Sequence, residues 1–275
     1  MLNHVEGIIL DWAGTTVDFG CFAPVNVFLE IFKNVGVEVT TAEARKPMGM
    51  LKRDHIKTML EMPRISSAWK EKFGHDFNEA DVDIVDMLYR DFEPMLMASL
   101  DQYTDPIPGV VETINVIRRM GLKIGSTTGY TDTMMQTVVK GAKDKGYSPD
   151  NWVTPDSTKA LGRPYPYMIF RNMEILKLSA PWKVVKIGDT IADINEGVNA
   201  GVWSVGVIVG SSQMGLSNKE YEELEELEKI KKMNTVKKDY LKAGADFVIN
   251  TLVELPLLLT EIDQLIEDDK RPHAF

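Results

Sequence analysis

The chain has 275 residues, 44% hydrophobic and 26% charged, an ordinary globular balance with room for a domain that carries a large insertion. Its net charge is −10 and it has no run of five or more Lys and Arg, which argues against nucleic acid or an anionic membrane surface as partner. The single cysteine, Cys21, excludes an intrachain disulfide framework and fits a reducing compartment. No apolar run approaches the roughly 20 residues of a membrane span, and no signal-like core follows Met1, so the expected setting is cytoplasmic.

In chain order, the first element is a buried strand, Ile8-Ile9-Leu10, stopping at Asp11 and turned away by Gly14-Thr15-Thr16. Phe22-Ala23-Pro24 opens a helix with Val27, Ile31 and Val35 at helical spacing, an apolar stripe expected to be exposed. Thr40 to Glu43 is a capping box for a short helix that stops before Pro47. Helices are predicted over 50–62, 66–73 and 79–100. With no convincing strand between, residues 20–101 read as a helical cap domain, and residues 1–19 with 102–275 as a Rossmann-like core domain.

Pro106 to Gly109 marks the return to that core. Helices are expected over 110–120, 131–146, 164–178, 191–200, 218–243 and 252–266, alternating with strands over 122–127, 152–154, 184–187, 202–209 and 245–249. This alternation implies an α/β fold with a parallel sheet and right-handed crossovers. The second informative strand end is Lys186-Ile187-Gly188-Asp189-Thr190, with Asp193 one helical turn later. In a parallel sheet Asp11 and Asp189 can meet at one edge, where such folds bind ligands, and chelate a hard cation. On a helix from Met50, Lys52 shares an arc with His55, Ile56 and Met59, opposite Arg53, Asp54, Lys57 and Glu61. A lysine centred on an apolar face is unusual.

DWAGTTVD with GDTIADINEGVNAG resembles the first and fourth motifs of the haloacid dehalogenase superfamily of aspartate-nucleophile phosphotransferases. Within it, DWAGTTVDFGCFAP, ARKPMGMLKRDHI, GSTTGYT and GRPYPYMIF resemble the phosphonoacetaldehyde hydrolase (phosphonatase) family, over about Val5 to Leu216. The resemblance implies Asp11 as nucleophile and Mg²⁺ held by Asp11, the Ala13 carbonyl and Asp189, with Asp193 one step further out. It implies a Schiff base on Lys52, with His55 one turn away to shuttle protons. Met48 matches a cap residue near the site, and Thr128-Gly129 the motif that binds a phosphoryl oxygen. Arg163 stands where most of the superfamily has lysine, and its guanidinium suits two parallel hydrogen bonds to phosphonate. Tyr130 and Cys21 are expected to line the cleft without a catalytic role.

Ala13 departs from the phosphatase pattern, which has an acid there to protonate the leaving group. Alanine has no proton to give, so the leaving group needs another device, and an iminium on Lys52 supplies one. The resemblance implies hydrolysis of the C–P bond of phosphonoacetaldehyde to acetaldehyde and phosphate, through a Schiff base and an aspartyl phosphate. It also implies a homodimer formed through the cap, which the stripe of the helix from Pro24 to Val35 would suit. The alternatives are a phosphatase or phosphomutase of the superfamily, a metal-independent haloacid-type dehalogenase, and a non-catalytic binding protein.

Overall fold

The structure, a computed structural model, describes residues 2–80 and 83–273. Its elements, in order, are β1 (Gly7–Leu10), α1 (Phe22–Asn34), α2 (Thr41–Arg45), α3 (Lys52–Leu60), α4 (Pro63–Phe73), α5 (Ile84–Ser99) and α6 (Val110–Arg119). Then come β2 (Lys123–Thr127), α7 (Asp132–Asp144), β3 (Asn151–Val153), α8 (Tyr167–Leu176), β4 (Val184–Gly188) and α9 (Ile191–Ala200). The chain ends with β5 (Trp203–Val207), α10 (Asn218–Glu223), α11 (Glu226–Lys242), β6 (Phe247–Ile249) and α12 (Leu255–Glu267). Among these described residues, no helix is long and apolar enough to cross a membrane.

The six strands form one sheet in the order β3-β2-β1-β4-β5-β6, and every pair is parallel. β1 and β4 are buried along their whole length, as strands covered on both faces by helices must be. The strand order reverses at β1: the chain first builds β2 and β3 on one side, then β4, β5 and β6 on the other. A crevice opens at such a point, beyond the C-terminal ends of the strands. Register decides what faces it. Leu10 pairs with Ile187, and the Asp11 N–H donates to the Ile187 carbonyl at 3.0 Å, so Asp11 and Asp189 emerge side by side.

The five helices α1 to α5 all lie between β1 and the return of the chain at Pro106. The outgoing and returning connections pair with each other: Val17 bridges Pro106 in antiparallel fashion, and the Ile107 N–H donates to the Thr16 carbonyl at 2.9 Å. The stripe of α1 is spent inside this layer. Val27, Phe28 and Ile31 are buried, and Phe28 stacks on Phe92 of α5 at 4.5 Å. The expectation that this stripe is exposed is therefore corrected. Among the described residues the exposed aromatics are Phe73, Tyr165, Tyr167, Phe170 and Trp182, none of them on α1.

Several boundaries move for physical reasons. The helix expected over 79–100 meets residues 81 and 82, which lie outside the described residues, and α5 begins at Ile84 behind an Asp83 cap. The helix expected over 218–243 breaks at Leu224 and Glu225, both extended. Glutamates at 220, 222, 223, 225, 226 and 228 crowd one stretch. Breaking there separates like charges and gives Glu226 and Glu228 a fresh helix N-terminus, which favours anions. The helix expected from Met50 begins instead at Lys52, because residues 47–50 form a turn closed by the Met50 N–H on the Pro47 carbonyl.

Candidate active site

Asp11 leaves β1 into a tight loop, and Asp189 leaves β4 one position further on. Gly14 lets the two approach. Its backbone is left-handed at φ +89°, and a Cβ there would sit 2.1 Å from the Asp189 Oδ2, so no larger residue fits. Asp189 is fully buried; its Oδ2 accepts the Ser212 N–H at 2.7 Å and its Oδ1 the Thr15 hydroxyl at 3.3 Å. The Tyr240 hydroxyl donates to its carbonyl at 2.6 Å. One oxygen from each of Asp11, Asp189 and Asp193 lies within 4.8 Å of the others. The loop's own hydrogen bonds end on the Trp12 and Val17 carbonyls, leaving the Ala13 carbonyl out of them.

A buried ionic network supports these carboxylates. The Arg163 Nη2 reaches Asp11 at 2.6 Å and Asp193 at 3.1 Å, while its Nε reaches Glu196 at 2.9 Å. Lys186, from the middle of β4, reaches Asp193 at 2.9 Å and Glu196 at 3.3 Å. Burial opposes ionisation of Asp193, but Arg163 and Lys186 outweigh it and hold its carboxyl below the usual range. Asp11 goes the other way: burial raises it, and Asp193 adds to the rise against the pull of Arg163. Asp189 is pushed well up by burial and then by Asp11 and Asp193.

This charge balance tests whether a metal fits. Four buried carboxylates, Asp11, Asp189, Asp193 and Glu196, face two fixed cations, Arg163 and Lys186. Desolvated carboxylates left in excess are costly, and among the described residues Asp189 has an N–H and a hydroxyl alone as donors to its carboxylate. An oxygen-liganded divalent cation suits that deficit. The residues fit.

Above the carboxylates lies a cavity of about 20 Å³ lined by Asp11, Ala13, Met48, Lys52, Thr128, Gly129 and Arg163, with Cys21, Gly49, Tyr130 and Thr190 completing the wall. It unites most of the residues singled out from the sequence. Gly129 makes the close approach possible, since a Cβ there would lie 2.5 Å from the Met50 carbonyl. Lys52 is 3% exposed, and its Nζ sits 5.0 Å from the centre of the Tyr130 ring. Burial depresses its pKa, with the Arg163 charge adding to the effect against Cys21, Asp11 and Asp189. Its place at the first position of α3 works the same way, because a helix N-terminus disfavours a cation.

Two expectations change. His55 does not line the cavity. Its Nε2 lies 2.8 Å from the Ala44 carbonyl, its ring stacks on Phe28 at 3.8 Å, and its buried Nδ1 has no partner. Burial, reinforced by Lys52, drives its pKa far below the usual histidine value. The ring packs behind α3 on Ala44 and Phe28, set back from the cavity, a position that does not support the expected proton shuttle. Arg163 is the second. Its Nε and Nη2 are engaged with protein acceptors, including the Thr127 hydroxyl at 2.9 Å. Only Nη1, held by a 3.4 Å contact with the Gly49 carbonyl, is lightly used, so the two-pronged grip on a phosphonate is not open here.

Lys186, Glu196, Ser212 and Tyr240 were not singled out from the sequence. Lys186 had a signal, a lone cation inside the apolar run Val184-Val185-Lys186-Ile187, and Glu196 stands one helical turn after Asp193. Ser212 and Tyr240 act through a backbone N–H and a distant helix, which no local pattern reveals.

Residues 5–201 match the family model of haloacid dehalogenase-like hydrolases. The chain is 54% identical to a phosphonoacetaldehyde hydrolase of Lysinibacillus sphaericus over 265 residues, covering 96% of this chain and 97% of that one. It is also 54% identical to a bifunctional phosphonoacetaldehyde hydrolase/aminoethylphosphonate transaminase of Clostridioides difficile, covering 98% of this chain and 42% of that longer protein. Among solved structures, a phosphonoacetaldehyde hydrolase-like protein from Oleispira antarctica superposes with a TM-score of 0.93 at 35% identity, covering 98% of this chain and 97% of the other. With this level of identity along nearly its full length, the chain belongs to the phosphonoacetaldehyde hydrolase family of the haloacid dehalogenase-like hydrolases.

Proposed function

We propose that the protein hydrolyses the C–P bond of phosphonoacetaldehyde to acetaldehyde and phosphate. The observation that carries this reading is the meeting, in one small cavity, of a buried lysine and a strand-end aspartate with alanine where a general acid would stand. Simple phosphoester hydrolysis has no use for the lysine and lacks its acid.

The neutral amine of Lys52 attacks the aldehyde carbon, water leaves, and the imine nitrogen takes a proton from solvent to give the iminium. Asp11 then attacks phosphorus through a carboxylate oxygen. The C–P bond breaks, and its electron pair moves toward the iminium nitrogen to give an enamine and an aspartyl phosphate. Protonation of the enamine carbon and hydrolysis of the imine free acetaldehyde and Lys52. Water releases phosphate from Asp11. Asp11, Asp189 and the Ala13 carbonyl would hold Mg²⁺, with Asp193 one step further out, and the ion when bound offsets negative charge on nucleophile and phosphonate. Thr128, Gly129 and the lightly held Nη1 of Arg163 receive the phosphonate oxygens, while Met48 packs over the substrate.

A 20 Å³ cavity has room for about one water, so substrate entry requires opening. We take residues 20–101 as a cap and residues 1–19 with 102–275 as the core, opening about the paired connections at Val17 and Pro106. The enzyme is read as a cytoplasmic homodimer, and the exposed Tyr165, Tyr167 and Phe170 offer a surface for the second copy. The test is incubation with phosphonoacetaldehyde and Mg²⁺, assaying acetaldehyde and phosphate together. Equal release of both supports the proposal. Phosphate release from sugar phosphates, with none from the phosphonate, favours the phosphatase reading.

A further inference from the structure

Arg45 ends α2 and reaches across to the sheet. Its Nη1 donates to the Gly20 carbonyl at 2.6 Å, in the connection from β1 to α1. The same nitrogen donates to the Ser212 carbonyl and hydroxyl, each at 3.3 Å, in the loop after β5. Ser212 is in turn the residue whose N–H donates to the Asp189 Oδ2 at 2.7 Å. The guanidinium also lies 4.8 Å from the centre of the Phe22 ring, and the loop wraps it closely enough that a Cβ on Gly215 would sit 3.2 Å from its Nε.

The arrangement is a poor one for Arg45 itself. Its Nε and Nη2 are buried without an acceptor, and such atoms cost stability and call for an explanation. Burial also works against its charge. The account must lie in what Nη1 holds. Among the described residues Asp189 has one backbone donor on its carboxylate, Ser212, and that donor belongs to a loop rather than to the sheet. Tyr240 fixes only the Asp189 main chain.

We infer that Arg45 is a positioning residue for the metal-binding carboxylate: by clamping the Ser212 loop from α2, it holds the N–H that orients Asp189. The clamp couples two parts of the molecule. Seating of the helical layer raises metal affinity, and by linkage bound metal favours the seated arrangement by the same factor. Outer contacts of this kind carry tenfold to hundredfold effects on metal affinity. The inference rests on Asp189 being a metal ligand, as proposed above.

The test is calorimetric titration of Mg²⁺ into the substrate-free protein at neutral pH, for the unmodified chain, Arg45→Met and Arg45→Gln. Melting temperature is measured with and without the ion. Both variants are expected to bind Mg²⁺ about tenfold more weakly, and the ion should raise their melting temperatures less than that of the unmodified chain. Arg45→Gln keeps a donor at a half-buried position and serves if Arg45→Met does not fold. A purely structural role lowers the melting temperature and leaves the dissociation constant alone. A folded variant of either kind with unaltered affinity overturns the inference. If the unmodified chain itself binds no Mg²⁺, the metal reading fails and takes this inference with it.

Discussion

Lys52 presents its amine from the first turn of α3, in a position where burial, the helix N-terminus and Arg163 all disfavour the ammonium. Deprotonation is needed before it can attack a carbonyl. Its step should therefore gain rate with rising pH, with an apparent pKa below the ordinary lysine value. Borohydride added with substrate or acetaldehyde should reduce the imine and fix added mass on the Lys52 peptide. Lys52→Arg keeps charge but cannot form the imine, so C–P cleavage should fall to background while Mg²⁺ binding persists. Substantial activity in Lys52→Arg would leave the mechanism without its electron sink. Asp18 offers a second check. It is buried at the base of α1, accepts the Phe22 and Ala23 N–H groups at 3.0 Å each, and burial raises its pKa from 3.8 to about 6. The folded state thus binds its proton more tightly than the unfolded, so stability falls as pH rises through the window between those values. The penalty above it is roughly 3 kcal/mol. Asp18→Asn should flatten the stability curve over that window, measured by urea unfolding. An unchanged difference between acid and neutral pH would show that Asp18 does not titrate there.

At the scale of elements, the alternation of strand and helix and the two strand-end aspartates were open to sequence reading, because burial on both faces leaves unbroken apolar runs. The arc of α3 was equally open: Lys52, His55, Ile56 and Met59 are buried, while Lys57 and Glu61 are exposed. What periodicity could not supply was the partner of each face. The stripe of α1 reads the same whether it meets α5 or a second copy. His55 reads as a candidate shuttle until its stacking on Phe28 is seen. The ionic network was hidden for a similar reason, since Lys186 comes from β4, Glu196 from α9 and Arg163 from the loop before α8, and only their meeting offsets the charges. One contact between elements makes a further prediction. The loop ending β2 abuts the turn before α3, where a Cβ on Gly129 would lie 2.5 Å from the Met50 carbonyl. Gly129→Ala should push that turn and Lys52 away from Asp11, and displacement near 1 Å costs about a hundredfold in rate. Mg²⁺ affinity should stay near that of the unmodified chain, because the atoms nearest that added Cβ belong to Gly49 and Met50, not to a carboxylate. Full activity in a folded Gly129→Ala would mean that this contact does not set the closed geometry.

For the molecule as a whole, the carboxylate excess ties folding, metal and pH together. Burial raises Asp11 and Asp189, so in the folded state without metal this pair holds protons at pH values where ordinary carboxylates have lost them. The unfolded chain holds fewer, and those two sites therefore lower stability as pH rises from the ordinary carboxylate range through their own folded values. Mg²⁺ must displace the same protons, so its apparent affinity should strengthen with pH over that range. Stabilisation by a ligand grows with its concentration relative to the dissociation constant, reaching about 2.7 kcal/mol at a hundredfold excess. At one fixed Mg²⁺ concentration, the rise in melting temperature should therefore increase as pH climbs above the ordinary carboxylate range. Asp189→Asn should abolish most of that rise, and excess chelator should return the unmodified chain to its metal-free melting temperature with loss of turnover. A rise independent of pH, or one retained in Asp189→Asn, would place the ion at some other site. The excess of buried negative charge at the end of β1 and β4 would then need a different partner.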